Sequence, residues 1–148
     1  MKSPWISALR SVALTVPDLA AAEIFYTQTW GLVLAEKSQG VAYFRGSGHD
    51  HHLLALHEAP GTPQLRLVTL RARSAKALEE IAQAAQAAGG VVERTGAALD
   101  PAGGNVLVIR DPDGRRIEVV HGDALRANDA PMPQDQPIRL AHAVLNCH

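Results

Sequence analysis

Apolar and polar positions along this chain fall into short alternating stretches broken by two helical ones, and the order occurs twice. Ser7 to Val16 alternates, is rich in β-branched residues and predicts a strand. Pro17 and Asp18 end it; Asp18 suits a helix N-cap, and a helix is expected from Leu19 to about Thr29, terminated at Gly31. Leu32 to Lys37, Val41 to Arg45 and His52 to His57 predict three more strands, followed by the breaker-rich connector Ala59-Pro60-Gly61-Thr62-Pro63. The same series then returns. Leu65 to Ala72 predicts a strand, and Ser74 caps a helix whose Leu78, Ile81, Ala82 and Ala85 share one face. Gly89-Gly90 stops that helix. Val91 to Arg94, Asn105 to Arg110 and Arg115 to His121 predict the remaining strands.

The recurrence shows in individual residues. Val12-Ala13-Leu14-Thr15-Val16 before the first helix matches Val68-Thr69-Leu70-Arg71-Ala72 before the second. The fold class expected is therefore α+β, with two βαβββ modules at about residues 5–59 and 64–121 inside a domain of residues 1–122. One such unit cannot cover its own sheet. Two can curve a cupped mixed sheet around a hollow with the helices outside, and the first and last strand of each module face the hollow.

The last strand draws attention. Asp111-Pro112-Asp113-Gly114 suits a tight turn, with Gly114 able to take the left-handed conformation that closes a hairpin. Beyond it Ile117 and Val119 share one face, and Arg116, Glu118 and Val120 the other. A carboxylate on such a strand is a surface residue, a paired core residue or a ligand. After His121 periodicity fades, and residues 123–137 read as an interdomain linker. Residues 138–148 alternate again, and His142-Ala143-Val144-Leu145 lines up with Ser11-Val12-Ala13-Leu14. A third unit is expected to open there, which makes this chain the front part of a longer protein.

Composition narrows the function classes. A net charge of -1 offers no basic field for nucleic acid, and 47% apolar residues are enough for a real core. The apolar runs are too short to span a bilayer, and Met1 to Trp5 lacks a signal-peptide core. With Cys147 the one cysteine, no internal disulfide forms, and a cytoplasmic location is expected.

The doubled βαβββ unit, Val12 to Asp18 before a helix, Phe25-Tyr26 followed by Trp30-Gly31-Leu32, and Asp111-Pro112-Asp113-Gly114 before Ile117-Glu118 resemble the vicinal oxygen chelate superfamily. That group includes glyoxalases, bleomycin and fosfomycin resistance proteins, and extradiol ring-cleaving dioxygenases. The resemblance implies a divalent metal held in the hollow by the first strand of each module and the last strand. In the ring-cleaving dioxygenases two His and one Glu hold Fe(II), and the resemblance implies Fe(II) in the full-length protein here, with Mn, Ni or Zn as the alternatives. Those ligands lie in the second of two domains, and the first keeps the fold without the metal.

Carried onto this chain, the ligand positions of the first strands fall on Ser11 and Leu67. That of the last strand falls on Glu118, and on Leu54 or Ala55 in the first module. Ser and Leu do not complete a transition-metal site with one carboxylate, so residues 1–137 are expected to bind none. In the third unit the first-strand position falls on His142, the expected first ligand of a downstream site. Glu118 reads as a vestigial carboxylate paired with Arg116 or another Arg.

The remaining candidates read more plainly. His49, His51, His52 and His57 read as a polar hairpin, with His51 and His52 on opposite strand faces, rather than as a zinc site. His121 reads as a surface or linker contact. Arg71, Arg73, Arg94, Arg110, Arg115 and Arg116 read as solvated faces, and Cys147 as unactivated. No catalytic residue is assigned. The resemblance implies a homo-oligomeric Fe(II) extradiol dioxygenase acting on a small aromatic, catechol-like substrate, with this chain as its metal-free front domain. The alternatives are a stand-alone small-molecule-binding resistance protein and a glyoxalase-like isomerase or lyase with a site shared across a dimer.

Overall fold

The computed structural model describes residues 4–127 and 135–146. It divides into two compact units. One holds Arg10–Arg66 with the described part of Leu125–Leu140, and the other holds Leu67–Ala124 with the residues up to Leu9 and those from Ala141.

In the first unit the chain runs β1 (Ile6–Val16, from Arg10), α1 (Leu19–Ile24), a π-helical turn (Phe25–Thr29), β2 (Val33–Ser38), β3 (Val41–Arg45) and β4 (Leu54–Glu58). The strand order is β2-β3-β4-β1. β1 and β4 are parallel, and the other neighbours are antiparallel. In the second unit β5 (Gln64–Ala72, from Leu67), α2 (Ala75–Ala87), β6 (Val91–Ala97), β7 (Asn105–Arg110) and β8 (Arg116–His121) repeat the plan in the order β5-β8-β7-β6, with β5 parallel to β8. The expected βαβββ recurrence is thus present, and in each module the first and last strands are neighbours.

Local chemistry accounts for the boundaries. Asp18 Oδ1 accepts from Ala21 N at 2.9 Å, and Ser74 Oγ accepts from Ala77 N at 3.1 Å. Gly114, at φ 86°, closes the turn in which its N–H donates to Asp111 O at 2.9 Å. Even-numbered residues of β1 join Phe44, Leu54 and Leu56 under α1, and Phe44 and Leu56 are fully buried. Leu107 and Val119 meet Ala77 and Ile81 of α2 in the second core. Truncating Phe44 to Ala would cost about 3–5 kcal/mol, the usual range for a buried Phe.

Three features differ from the expectations. The helix from Leu19 does not stay α-helical to Thr29 but widens into a π turn at Phe25. There the Thr27 hydroxyl donates to Glu23 O at 2.7 Å, and Tyr26 stacks edge-on with both Phe25 and Trp30. β2 and β6 each carry a register shift at the same place, between Leu34 and Glu36 and between Val92 and Arg94. Both are edge strands, where a bulge is tolerated and discourages further pairing. Residues 138–146, expected as a strand, form none. A strand needs a neighbour's ladder, and this segment lies instead against a loop: Ser47 N donates to Pro137 O at 2.9 Å and Gly48 N to Ile138 O at 3.2 Å. Cys147 lies outside the described residues. No helix among the described residues is long and apolar enough to cross a membrane.

Candidate functional site

The strand registers fix which residues hold equivalent places in the two modules. Val12 pairs with Leu54 and Ala13 with Ala55; Val68 pairs with Ile117 and Thr69 with Glu118. With Val12 equivalent to Val68, Ala55 is the first-module counterpart of Glu118, which decides between Leu54 and Ala55. The pair Thr69 and Glu118 in one module is therefore the pair Ala13 and Ala55 in the other.

Glu118 is 9% exposed and Thr69 3%. Both stand on the sheet face away from α2, beside a small apolar cluster of Val106, Val108 and Val120. The Thr69 hydroxyl donates to Glu118 Oε1 at 3.1 Å. A buried carboxylate needs such donors to remain in an apolar setting. Of the arginines expected as its partner, Arg116 is engaged elsewhere. Arg116 Nε donates to Glu93 Oε2 at 2.8 Å, and Arg110 Nε donates to Glu93 Oε1 at 2.7 Å. The physical reason is the bulge in β6, which breaks the alternation at Glu93 beside the two arginines.

Arg73, Arg110 and Arg116 are exposed, as the sequence suggested, whereas Arg71 is less solvated. Arg71 makes a two-point contact with Asp123, Nε to Oδ1 at 3.0 Å and a terminal nitrogen to Oδ2 at 2.6 Å, and the Asp123 side chain is 2% exposed. Arg115 binds Asp111 and Asp113, which straddle the Gly114 turn. Hydrogen bonds from Arg116 and Arg110 hold the Glu93 carboxyl below its ordinary range. The Arg115 backbone N–H, and then its side chain, do the same for Asp111, while Asp111 and Asp113 raise Arg115. These are exposed turn and edge contacts rather than a reactive centre.

The histidines separate. His51 and His52, expected on opposite strand faces, precede β4 in a loop, and their Nδ1 atoms approach to 2.9 Å. Loop geometry removes the alternation that a strand would impose. His52 is 1% exposed and edge-on to Tyr43 at 4.9 Å, and His51 Nε2 lies 3.5 Å from Glu36. Glu36 owes that position to the bulge in β2. His49 Nδ1 contacts Arg126 O at 3.2 Å. His57 sits on β4, where burial and then the Arg66 charge lower its pKa. His121 ends β8 opposite Asn105. His142 is exposed.

No three His, Cys, Asp or Glu side chains among the described residues are placed to hold a metal ion. The donor chemistry agrees. Leu67 supplies no donor atom, and Glu118 is engaged by Thr69. The metal implied by the resemblance therefore does not fit the residues that this chain places at the ligand positions.

The model of the Glyoxalase/Bleomycin resistance protein/Dioxygenase superfamily matches residues 8–119. Among solved structures, a Mn(II)-bound glyoxalase from Novosphingobium aromaticivorans is 26% identical with a TM-score of 0.80, over 86% of this chain and 42% of that one. An extradiol ring-cleaving dioxygenase from Brevibacterium fuscum shares the fold at 24% identity and a TM-score of 0.77, over 83% of this chain and 34% of that one. This chain thus spans less than half the length of either protein. No curated protein sequence matches it. The family match over most of the chain, together with two βαβββ modules whose first and last strands pair in parallel, places this chain in the glyoxalase/bleomycin resistance protein/dioxygenase (vicinal oxygen chelate) superfamily.

Proposed function

We propose that this chain is the metal-free front domain of an Fe(II)-dependent extradiol dioxygenase that opens a catechol-like ring with O2, in a cytoplasmic, homo-oligomeric enzyme of aromatic catabolism. The observation that carries the reading is the register. It sets Ala13 with Ala55 and Thr69 with Glu118 at the equivalent places, so the one carboxylate is tied to a neighbouring hydroxyl. His142, beyond the linker of residues 123–137, is then the first ligand of a site whose other ligands lie in the domain that follows. Residues 138–148 supply that domain's first strand once its neighbouring strands are present to pair with it. A metal held there, Fe(II) on this reading, would supply the activation of dioxygen. This chain's own residues supply the packed module, the linker and His142.

The likeness to a Mn(II)-bound glyoxalase favours a second reading, a metal-dependent isomerase or lyase in which Glu118 is completed by another copy of the chain. One experiment separates the two. Iron content and oxygen uptake with catechol are measured for the parent protein carrying His142→Ala or Glu118→Gln. The proposal expects His142→Ala to lose both and Glu118→Gln to keep both. Retention of iron in His142→Ala sinks it, and loss of metal in Glu118→Gln favours the shared-site reading.

A further inference from the structure

A hollow in the first unit lies under α1 and the π turn, on the sheet face opposite Ser11. Its volume is about 300 Å³, at the small end of ligand pockets, which run about 300–1,000 Å³. Val12 and Leu14 form its floor, Tyr26 and Trp30 one wall, and Leu140 part of its cover. Val12 and Leu14 pack against the core of this unit, yet both remain partly exposed where they border the hollow. The π turn shapes the wall. Leu32 N donates to Tyr26 O at 3.1 Å, and Tyr26 and Trp30 stack edge-on with centroids 5.3 Å apart. Widened helical turns of this kind recur at functional sites.

The cover is built into the sequence. Pro137 and Ile138 are bonded to the loop amides of Ser47 and Gly48, and the Gln136 side chain donates to Gly31 O at 3.0 Å. A Cβ at Gly46 would meet Pro137 O at 2.1 Å, and one at Gly48 would meet Ile138 O at 2.5 Å. Neither glycine has a positive φ, so close approach of this covering strap, residues 136–140, is what requires them.

Among the described residues, Arg139 is the one charged residue lining this hollow. It is exposed and makes no hydrogen bond or ion pair with any described residue. An apolar, aromatic-walled space with a single cation at its rim matches a small hydrophobic anion. We propose that this hollow binds a one-ring hydrophobic carboxylate, with the ring against Tyr26, Trp30 and Leu14 and the carboxylate on Arg139. The site is separate from the ligand positions on the opposite sheet face, and it does not depend on the dioxygenase reading.

The test uses the 148-residue chain in a Trp5→Phe background, so that Trp30 is the remaining tryptophan. 4-Methylbenzoate and the uncharged 4-methylbenzamide are titrated by Trp30 fluorescence and calorimetry, with no metal added. The carboxylate is expected to bind at least about ten-fold more tightly than the amide, the scale of a hydrogen bond to a charged group. Arg139→Gln should remove that preference, and Leu14→Phe should abolish binding of both. If Leu14→Phe disturbs the fold by circular dichroism, Leu140→Phe fills the same space from the strap and should abolish binding instead. Equal affinity for acid and amide, no saturable binding of the acid, or binding unchanged in the folded filling variant each overturns the proposal. Metal content plays no part in these readouts, so their failure leaves the dioxygenase reading to its own test.

Discussion

Gly46→Ala asks whether the strap is truly seated, because the two possible answers have opposite signs. Gly46 does not have a positive φ, so an alanine there fits the backbone. With the strap absent, the substitution restricts the unfolded chain and stabilises the protein by about 0.4–1 kcal/mol. With the strap in place, the new methyl lies 2.1 Å from Pro137 O and 2.9 Å from Pro137 C. Leu53 Cδ1, at 3.0 Å, is a side-chain end and can rotate away; the backbone of Pro137 cannot. The strap must lift. It then gives up the Ser47-to-Pro137 and Gly48-to-Ile138 hydrogen bonds, each about 0.5–1.5 kcal/mol net. Part of the burial of Leu140 is lost as well. The two bonds alone sum to about 1–3 kcal/mol, and the gain from the restricted unfolded chain leaves a net destabilisation of at least about 0–2.5 kcal/mol before the Leu140 contribution. Hydrogen exchange reads the mechanism directly. The Ser47 and Gly48 amides should exchange roughly ten-fold faster, matching about 1.4 kcal/mol of local opening. Amides of β3 and β4 should keep their protection. A variant more stable than the parent with unchanged Ser47 and Gly48 protection would show that the strap does not rest there.

Three further outcomes follow from the contacts. Thr69→Val removes the hydroxyl that donates to Glu118 and should lower stability by about 1.5–3 kcal/mol in urea unfolding; an unchanged midpoint refutes a structural role for that bond. Asp123→Ala leaves the Arg71 guanidinium, 20% exposed, without its two-point partner and should cost about 3 kcal/mol, the lower end for a broken buried pair because Arg71 reaches solvent; a loss under 1 kcal/mol, about that of a surface pair, counts against it. On acidification stability should fall in two stages. Burial and the Arg66 charge lower His57, so the unfolded chain takes the proton first. That contribution is complete above the ordinary histidine range and is lost as pH drops through the folded value. Glu93, lowered by Arg116 and Arg110, behaves in the same sense nearer the carboxylate range. His57→Gln should erase the upper stage of a melting-temperature profile against pH, and a profile identical to the parent's refutes the assignment.

What was legible in the sequence follows from which forces are local. Caps and turns are local, so Asp18, Ser74 and Gly114 announced their elements, and the apolar period placed β7 at Asn105–Arg110 and β3 at Val41–Arg45. The repeat was legible because the two first strands share a residue pattern. The bulges at Ala35 and Glu93 were not. A bulge is a property of two strands in register, and only the shared break in alternation at equivalent positions could have hinted at it. The second bulge is what sets Glu93 beside Arg116 and Arg110. His51 and His52 follow the same rule, since strand alternation holds only where pairing begins, at Leu54. Residues 138–146 alternate like a strand, but alternation reports a preference and pairing requires a neighbour.

The register also changes what a lone carboxylate on the last strand means. Had Glu118 stood alone among apolar neighbours, its persistence would itself argue for a ligand role, because an unpartnered buried charge is costly. The two modules offer an internal comparison. One places Ala13 beside Ala55, and the other places Thr69 beside Glu118. The polar side chain on β5 stands opposite the polar side chain on β8, and an apolar one opposite an apolar one. A carboxylate kept as a metal ligand needs other ligands near it, and Leu67 at the position before Val68 is none. A carboxylate kept as a packing element needs a donor on the neighbouring strand, and Thr69 is that donor at 3.1 Å. Glu118 meets the second requirement within its own module and not the first. Glu118 is therefore accounted for by packing within its own module, and the proposed role of His142 is tested separately from it.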